Sequence, residues 1–285
     1  MTKLLIKDRI ERASETLTSG ERKLATAILS DYPYAGLFSI QELARRSEVS
    51  APSISRFMAK IGLAGYQEFQ RDLITELKKG DRSPAHVDPS QREVSGHFLR
   101  DFMGKASAQM AVAGDAITET QFDRVCDLLA TPKHNVYALG GRISDTIAAH
   151  LSFHLRQSRG GVFHLSANPE TWPDDLMRMK QGDIFFMVDF RRYQPALEEL
   201  AALAHKERKA KVILLTDKWI SPAARHATEV LAVPIEIGTL WDTYAAALAV
   251  TEAIVTKVAE DNWERTRARI ETWDGYRNFP KEPTS

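Results

Sequence analysis

The sequence predicts two domains of different class: an all-α domain built on a helix-turn-helix, followed by an α/β domain with a doubly wound parallel sheet. Three observations carry this prediction. Residues 39–62, SIQELARRSEVSAPSISRFMAKIG, read as two short helices joined by a tight turn. Residues 80–90, GDRSPAHVDPS, are polar, hold two prolines and show no apolar period, which marks a linker. Beyond the linker, continuous apolar runs alternate with helical patterns, as buried parallel strands covered on both faces do. The expected bounds are residues 1–79 for the first domain, 80–93 for the linker and 94–285 for the second.

A chain of 285 residues can build two domains with their own cores. Its 44% hydrophobic and 27% charged residues exclude a disordered chain and a membrane-embedded one. The net charge is zero, yet residues 1–80 carry 13 Lys+Arg against 10 Asp+Glu, leaving 25 against 28 for the rest. A cationic front on a slightly anionic body is the split expected of a nucleic-acid reader attached to something else. A single cysteine, Cys126, excludes an internal disulfide and a cysteine-based zinc site, and its neighbours Phe122, Val125, Leu128 and Leu129 make it a core filler. The N-terminal apolar run is too brief for a signal peptide or an anchor, so the expectation is a cytoplasmic protein that does not engage a membrane.

Residues 4–15 read as a short helix with Leu4, Leu5 and Ile10 inward. The next helix, Ser19 to Asp31, is expected to be capped by Ser19, to bury Leu24, Ala25, Ile28 and Leu29, and to end at Pro33. In the central motif Ser39 caps the first helix and Glu42 completes a capping box, while Ile40, Leu43 and Ala44 share a face and Arg45 and Arg46 close the helix. Ser50 caps the second helix, where Pro52 falls early enough that its missing N–H costs little. Ile54, Phe57, Met58 and Ile61 recur at helical spacing, and Gly62 supplies a left-handed exit. A last helix, Tyr66 to Leu77, closes the core with Phe69, Leu73 and Leu77. Lys78 and Lys79 after it read as a solvated helix end.

The other face of the second helix holds Ser53, Ser55, Arg56 and Lys60. Short hydroxyls and an arginine suit a helix lying in a groove walled by phosphate, where hydroxyls reach phosphates and arginine forks onto guanine. A solvated polar face on an ordinary helical hairpin has the same composition. Leu17 to Leu73 as a whole resembles the N-terminal helix-turn-helix of the RpiR family of bacterial transcriptional regulators, through LTSGERKLATAIL, SIQELARRSEVSAPSISRFMAKIG and GYQEFQRDL. The resemblance implies a domain that binds double-stranded operator DNA, with Arg45, Arg46, Ser50, Ser53, Ser55, Arg56 and Lys60 as candidate contacts. One such motif covers few base pairs, so a homodimer or homotetramer over a two-fold-related operator is expected.

After the linker, Val94 to Ala116 and Glu119 to Ala130 read as helices, the second capped by Thr118. The strand candidates are NVYALG, GVFHL, DIFFMV, KVILLT and ATEVLAV, with helices expected at 144–157, 172–179, 195–205 and 221–227. In such sheets ligands bind beyond the carboxyl ends of the strands, which here means the loops GGRIS, DFRRYQ and TDKWIS. GTLWDTYAAALAVTEAIVTKVAE reads as one long helix with Leu240, Tyr244, Leu248, Val250, Ile254 and Val258 on its apolar face, buried in the domain or against a partner subunit. The tail, with Trp263, Ile270, Trp273 and Tyr276 among charges, reads as an amphipathic packing helix.

Val136 to Pro234 is similar to the sugar isomerase (SIS) domain that RpiR regulators carry, through GDIFFMV and KVILLTDKWISPAARHATEVLAV. The similarity implies an effector site for a sugar phosphate, with Gly140, Gly141, Arg142, Ser144, Asp189, Arg191, Arg192, Gln194 and Thr216 as candidates. Three departures stand out. Asp189, Phe190, Arg191 and Arg192 replace the family's serine-rich phosphate cup, Gln194 stands where a threonine is usual, and Arg142 replaces a second glycine. A carboxylate about 4 Å from a phosphate is repelled by roughly 4 kcal/mol per unit charge near a protein surface, which argues against the usual phosphate seat. Either the three arginines converge on an anionic metabolite, a phosphosugar or a sugar acid, or Asp189 pairs with one of them and plugs the site. No cofactor, metal or catalytic residue is expected: His150 and His154 lie four apart on one helix without a third ligand. The functional expectation is a metabolite-controlled transcriptional regulator of carbohydrate or related carbon metabolism, not an enzyme. The alternatives are an isomerase-like enzyme and a regulator whose pocket is dead.

Overall fold

A computed structural model of the chain describes residues 4–30, 32, 35, 38–80 and 96–277. It divides into two compact units, Met1–Ser83 and Pro84–Ser285. Pro33, Val94, and residues 81–90 of the expected linker with His86 lie outside the described residues, as do the side chains of Leu77, Lys78 and Lys79.

The first unit is helical: α1 (Ile6–Ala13), α2 (Ser19–Ser30), α3 (Ile40–Ser47), α4 (Ala51–Lys60) and α5 (Tyr66–Gly80). Leu24, Ile28, Leu43, Ile54, Phe57, Met58, Phe69 and Leu73 form its interior, each at most 1% exposed. Leu29, expected on the buried stripe, is 44% exposed, because α2 turns only three of its four apolar positions inward. Thr18, not Ser19, caps α2: its hydroxyl accepts the Glu21 N–H at 3.4 Å while Glu21 accepts the Thr18 N–H at 2.8 Å. The reciprocal box expected of Ser39 and Glu42 is only half made. Ser39 Oγ accepts the Glu42 N–H at 3.1 Å, but the Glu42 carboxylate turns to Arg45 and Arg46. The turn between α3 and α4 is set by Glu48 in the left-handed region (φ 54°) and by buried Ser47, whose hydroxyl donates to Leu43 O at 2.6 Å.

The second unit begins with α6 (Phe98–Ala116) and α7 (Glu119–Ala130), the latter capped by Thr118 as expected. Then β1 (Val136–Gly140), α8 (Asp145–Ser158), β2 (Val162–His164), α9 (Trp172–Arg178), β3 (Ile184–Asp189), α10 (Pro195–Lys206), β4 (Lys211–Asp217) and β5 (Glu229–Val233) alternate. The strands are all parallel, in the order β2-β1-β3-β4-β5. Their side chains alternate between two cores, as a period of two demands. Val136, Ala138, Phe186, Val188, Ile213 and Leu215 face α7, α8 and α11 (Ala245–Asp261). Tyr137, Leu139, Phe185, Met187, Val212 and Leu214 face α9 and α10. Both faces of the central strands are therefore buried, which is why β1, β3 and β4 read as near-continuous apolar runs.

Three expectations need correction. Residues 221–227 are a 3-10 turn (Pro222–His226) rather than an α-helix. α6 starts at Phe98 behind an N-cap from His97, four residues later than expected. The long C-terminal helix starts at Ala245, so Leu240 (40% exposed) and Asp242 belong to a loop after β5. α11 itself is core of its own unit, with Ala246, Ala247, Thr251, Ile254 and Val258 buried. The last helix, α12 (Trp263–Arg277), leaves Trp263, Trp273 and Tyr276 at least half exposed and buries Thr266 instead.

Candidate nucleic-acid interface and effector site

α4 presents two faces. Ile54, Phe57 and Met58 anchor it, and the opposite side shows Ser55 and Arg56, both exposed. Ser50 Oγ accepts the Ser53 N–H and lies 2.9 Å from Ser53 Oγ, which in turn accepts from Arg56 Nη2 at 3.2 Å. This hydroxyl chain holds the Arg56 guanidinium on the outer face with no carboxylate beside it among the described residues. The exit of α4 is fixed by Gly62 (φ 77°), whose carbonyl accepts from Arg9 Nη1 at 2.9 Å. A cation there also suits the negative end of the helix dipole.

The remaining candidates are differently engaged. Lys60 does not reach outward: its ammonium donates to Thr16 O at 2.6 Å and to Glu21 at 2.7 Å, tying α4 to the start of α2. Glu42 is gripped by Arg45 first and Arg46 second, which holds its carboxyl down to about 2. Arg45 stays 73% exposed in that pair, while the Arg46 guanidinium also lies 3.9 Å over the Phe38 ring. Sequence reading missed Arg9 and Glu21, since both act from elements distant in the chain.

At the carboxyl ends of the strands, Gly140, Gly141, Ser144, Asp189, Gln194 and Thr216 come together. Gly140 admits no side chain, because a Cβ there would lie 2.5 Å from the backbone nitrogen of Asp145. Ser144 Oγ accepts the Gly141 N–H at 2.9 Å and donates to Val188 O at 2.9 Å, locking the β1 loop to β3. Asp189 Oδ1 and Gln194 Nε2 both face the bare Cα of Gly141. Thr216, fully buried, is a brace: its hydroxyl donates to Asp189 O at 2.7 Å and accepts the Ser221 N–H at 3.1 Å.

Asp189 does not plug the site by pairing with an arginine. Its carboxylate accepts from the Ser221 hydroxyl and the Gln194 backbone N–H, and it is 2% exposed. Burial, with Asp217 and Glu198 nearby, pushes its carboxyl up to about 7. Between about pH 4 and 7 this carboxyl therefore keeps a proton in the folded protein that it has released in the unfolded chain, so its contribution to stability falls as pH rises through that window. Asp189→Asn is expected to remove this decline, measured as the difference in denaturation midpoint between variant and wild type from pH 4 to 8. A difference that does not change with pH would assign the titration elsewhere.

Arg191 is the candidate the structure engages most. Its backbone N–H donates to Asp217 Oδ2 at 2.6 Å, and its guanidinium forks onto Asp242, lies 3.6 Å from Glu236 and stacks 4.7 Å from the Trp219 ring. Arg142 and Arg192 are exposed and form no ion pair among the described residues, Arg192 with φ 62°. Of the three arginines only Arg191 is held by carboxylates among the described residues. Asp217, Trp219, Ser221, Glu236 and Asp242 were not anticipated, although the loop TDKWIS flagged the right strand end. Among the described residues no three His, Cys, Asp or Glu side chains are placed to hold a metal ion. The His150 and His154 rings lie 4.5 Å apart, tilted by 55°, with His150 Nε2 3.7 Å from Glu252. Burial pushes the Cys126 thiol up to about 12, as an inert core residue requires.

Residues 4–80 match the helix-turn-helix domain of the rpiR family, and residues 129–257 match the SIS domain. An HTH-type transcriptional regulator of Haemophilus influenzae is 30% identical over 79% of this chain and 78% of its own length. The chain belongs to the RpiR family. The HTH-type transcriptional regulator HexR of Pseudomonas aeruginosa is 29% identical over 80% of this chain and 78% of that protein. The structure of Vibrio vulnificus NanR, complexed with ManNAc-6P, shares the fold at 19% identity and a TM-score of 0.53, covering 94% of this chain and 97% of that one. As in its relatives, the RpiR-type N-terminal unit makes this chain a DNA-binding transcriptional regulator. None of the described helices is long and apolar enough to cross a membrane.

Proposed function

We propose that the protein regulates genes of carbohydrate or related carbon metabolism, binding a two-fold-related operator as a homodimer or homotetramer under the control of an anionic metabolite. The carrying observation is α4, capped by Ser50 and buried through Ile54, Phe57 and Met58, which offers Ser55 and an Arg56 free of carboxylates to a groove. Arg45, Arg46, Ser50 and Ser53 supply phosphate contacts and positioning around it. A phosphosugar or sugar acid is the ligand class that suits the strand ends, where Arg191 and Arg192 sit in the loop after β3 and NanR is described with a phosphosugar. Pairing suits the side of α6 on which Leu99, Met103 and Met110, close together at helical spacing, are each at least 40% exposed.

The test is retention of genomic DNA fragments by the purified full chain at low and moderate salt, with and without a panel of aldose phosphates and aldonic acids. Selective retention that one panel member alters is expected. Unselective retention under every condition overturns the reading. Turnover of a panel member in the same samples would move the protein to the enzyme class.

A further inference from the structure

We infer that Asp242 is the protein's own occupant of an anion site on Arg191, and that a carboxylate- or phosphate-bearing effector takes its place and frees the segment leading into α11. This deepens the proposed function and rests on its anionic effector. Arg191 is built to hold an anion. Its Cα is fixed by Asp217, its guanidinium lies over the face of buried Trp219, and its two forked donors point at one carboxylate. That carboxylate comes from 51 residues away, from a stretch without regular structure between β5 and α11. A fork that accepts one carboxylate accepts another, or a phosphate, with little change in contact energy.

The pair is reachable. Arg191 keeps 12% and Asp242 21% of side-chain exposure, and beside them Lys218 and Glu236 are more than a third exposed. Arg192, next in the chain and exposed without an acidic partner among the described residues, gives an incoming anion a first landing charge. Apart from this pair the segment is anchored at its two ends: Ile235, Ile237 and Thr243 are buried, Gln109 Nε2 donates to Glu236 O at 3.0 Å, Lys218 reaches Glu236 at 3.2 Å and the Thr243 N–H donates to Ile235 O at 2.9 Å, while between them Gly238 turns the chain at φ 73°. Trp241 at its crest is 63% exposed. A displaced Asp242 does not lose all compensation, since it lies only three residues before the positive end of α11. Tyr244, which opens α11, stacks on Phe190 of the β3 loop at 5.0 Å, so exchange at Arg191 bears directly on a helix buried in the unit's core.

The experiment uses the full chain, wild type, Asp242→Asn, Asp242→Ser and Arg191→Gln, titrated by calorimetry with gluconate, glucose 6-phosphate and gluconate 6-phosphate. Hydrogen exchange across residues 234–244 is followed in parallel. Removing the competing carboxylate is expected to tighten binding about tenfold in both Asp242 variants, equivalent to about 1.4 kcal/mol. Arg191→Gln should abolish binding, and saturation of the wild type should speed exchange in the segment. Whether gluconate or glucose 6-phosphate binds decides between carboxylate and phosphate. Equal affinity in wild type and both Asp242 variants, with Arg191→Gln impaired, overturns the exchange and leaves the proposed function standing. Binding that Arg191→Gln does not weaken overturns the site, and an absence of binding to every variant overturns the anionic effector and the inference together.

Discussion

Replacing Arg56 with alanine is expected to weaken operator binding by about 10- to 100-fold per recognition helix, the range for one arginine forked onto a base. Stability should stay within about 0.5 kcal/mol, because the side chain is exposed and alanine is the better helix former. The reason lies in the division of labour along α4. Ile54, Phe57 and Met58 fix the helix, so removing Arg56 leaves its position intact, and Lys60 cannot substitute because Thr16 O and Glu21 hold it. Arg56→Lys separates two roles. A lysine keeps a charge for phosphate but cannot fork, so loss of sequence discrimination with retained non-specific affinity identifies a base contact. Fluorescence anisotropy on operator and scrambled duplexes at two salt concentrations measures both; unchanged operator affinity in Arg56→Ala moves recognition to another element.

What the sequence revealed, and what it hid, follows the reach of each interaction. Ser39, Ser50 and Thr118 were legible as caps because each hydroxyl bonds an N–H three residues on. The central strands β1, β3 and β4 were legible because burial on both faces makes each an apolar run. Even at short range, competition blurred the reading. Glu42 has two arginines within four residues, and these draw its carboxylate away from the Ser39 N–H that a capping box would give it. Thr18 and Ser19 are adjacent hydroxyls, and only the backbone chose between them.

Charge partners across long separations were not legible at all. Lys60 read as a phosphate contact, and its partner Glu21, 39 residues earlier, was not foreseen. Arg191 read as one of three pocket arginines, any one of which was a candidate partner for Asp189. The sheet instead directs Asp189 inward to Ser221 and brings Asp242 to the guanidinium. Asp242 was hidden twice, since the stretch from Gly238 onward read as one long helix, which in fact starts only at Ala245. Arg159 is the extreme case: at 2% exposure it donates to the carbonyls of Leu129 and His134, a brace that no local pattern announces.

Asp217→Ala is expected to cost about 3 kcal/mol or more of stability in the second unit, the largest loss at the strand ends. Asp217 is fully buried and its carboxylate accepts from three donors: the Arg191 N–H at 2.6 Å, the Tyr193 hydroxyl at 2.7 Å and the Trp219 N–H at 2.9 Å. Each donor left without an acceptor in the interior costs about 1–3 kcal/mol. Burial has already pushed this carboxyl above its ordinary range, so the charge itself is an expense, and removing it returns part of the loss. Asp217→Asn isolates that part. The amide keeps one oxygen for the strongest donor and sheds the charge, so its cost should be well under half that of alanine. Urea denaturation with unchanged slope measures both variants; equal costs would mean that the charge, not the acceptor, holds these loops. The consequence reaches the site, because the same carboxylate that satisfies Trp219 also sets the Cα of Arg191, and with it the aim of the fork. Asp217→Asn, if it folds at the predicted small cost, should therefore keep the response to anions, whereas surviving Asp217→Ala should lose it.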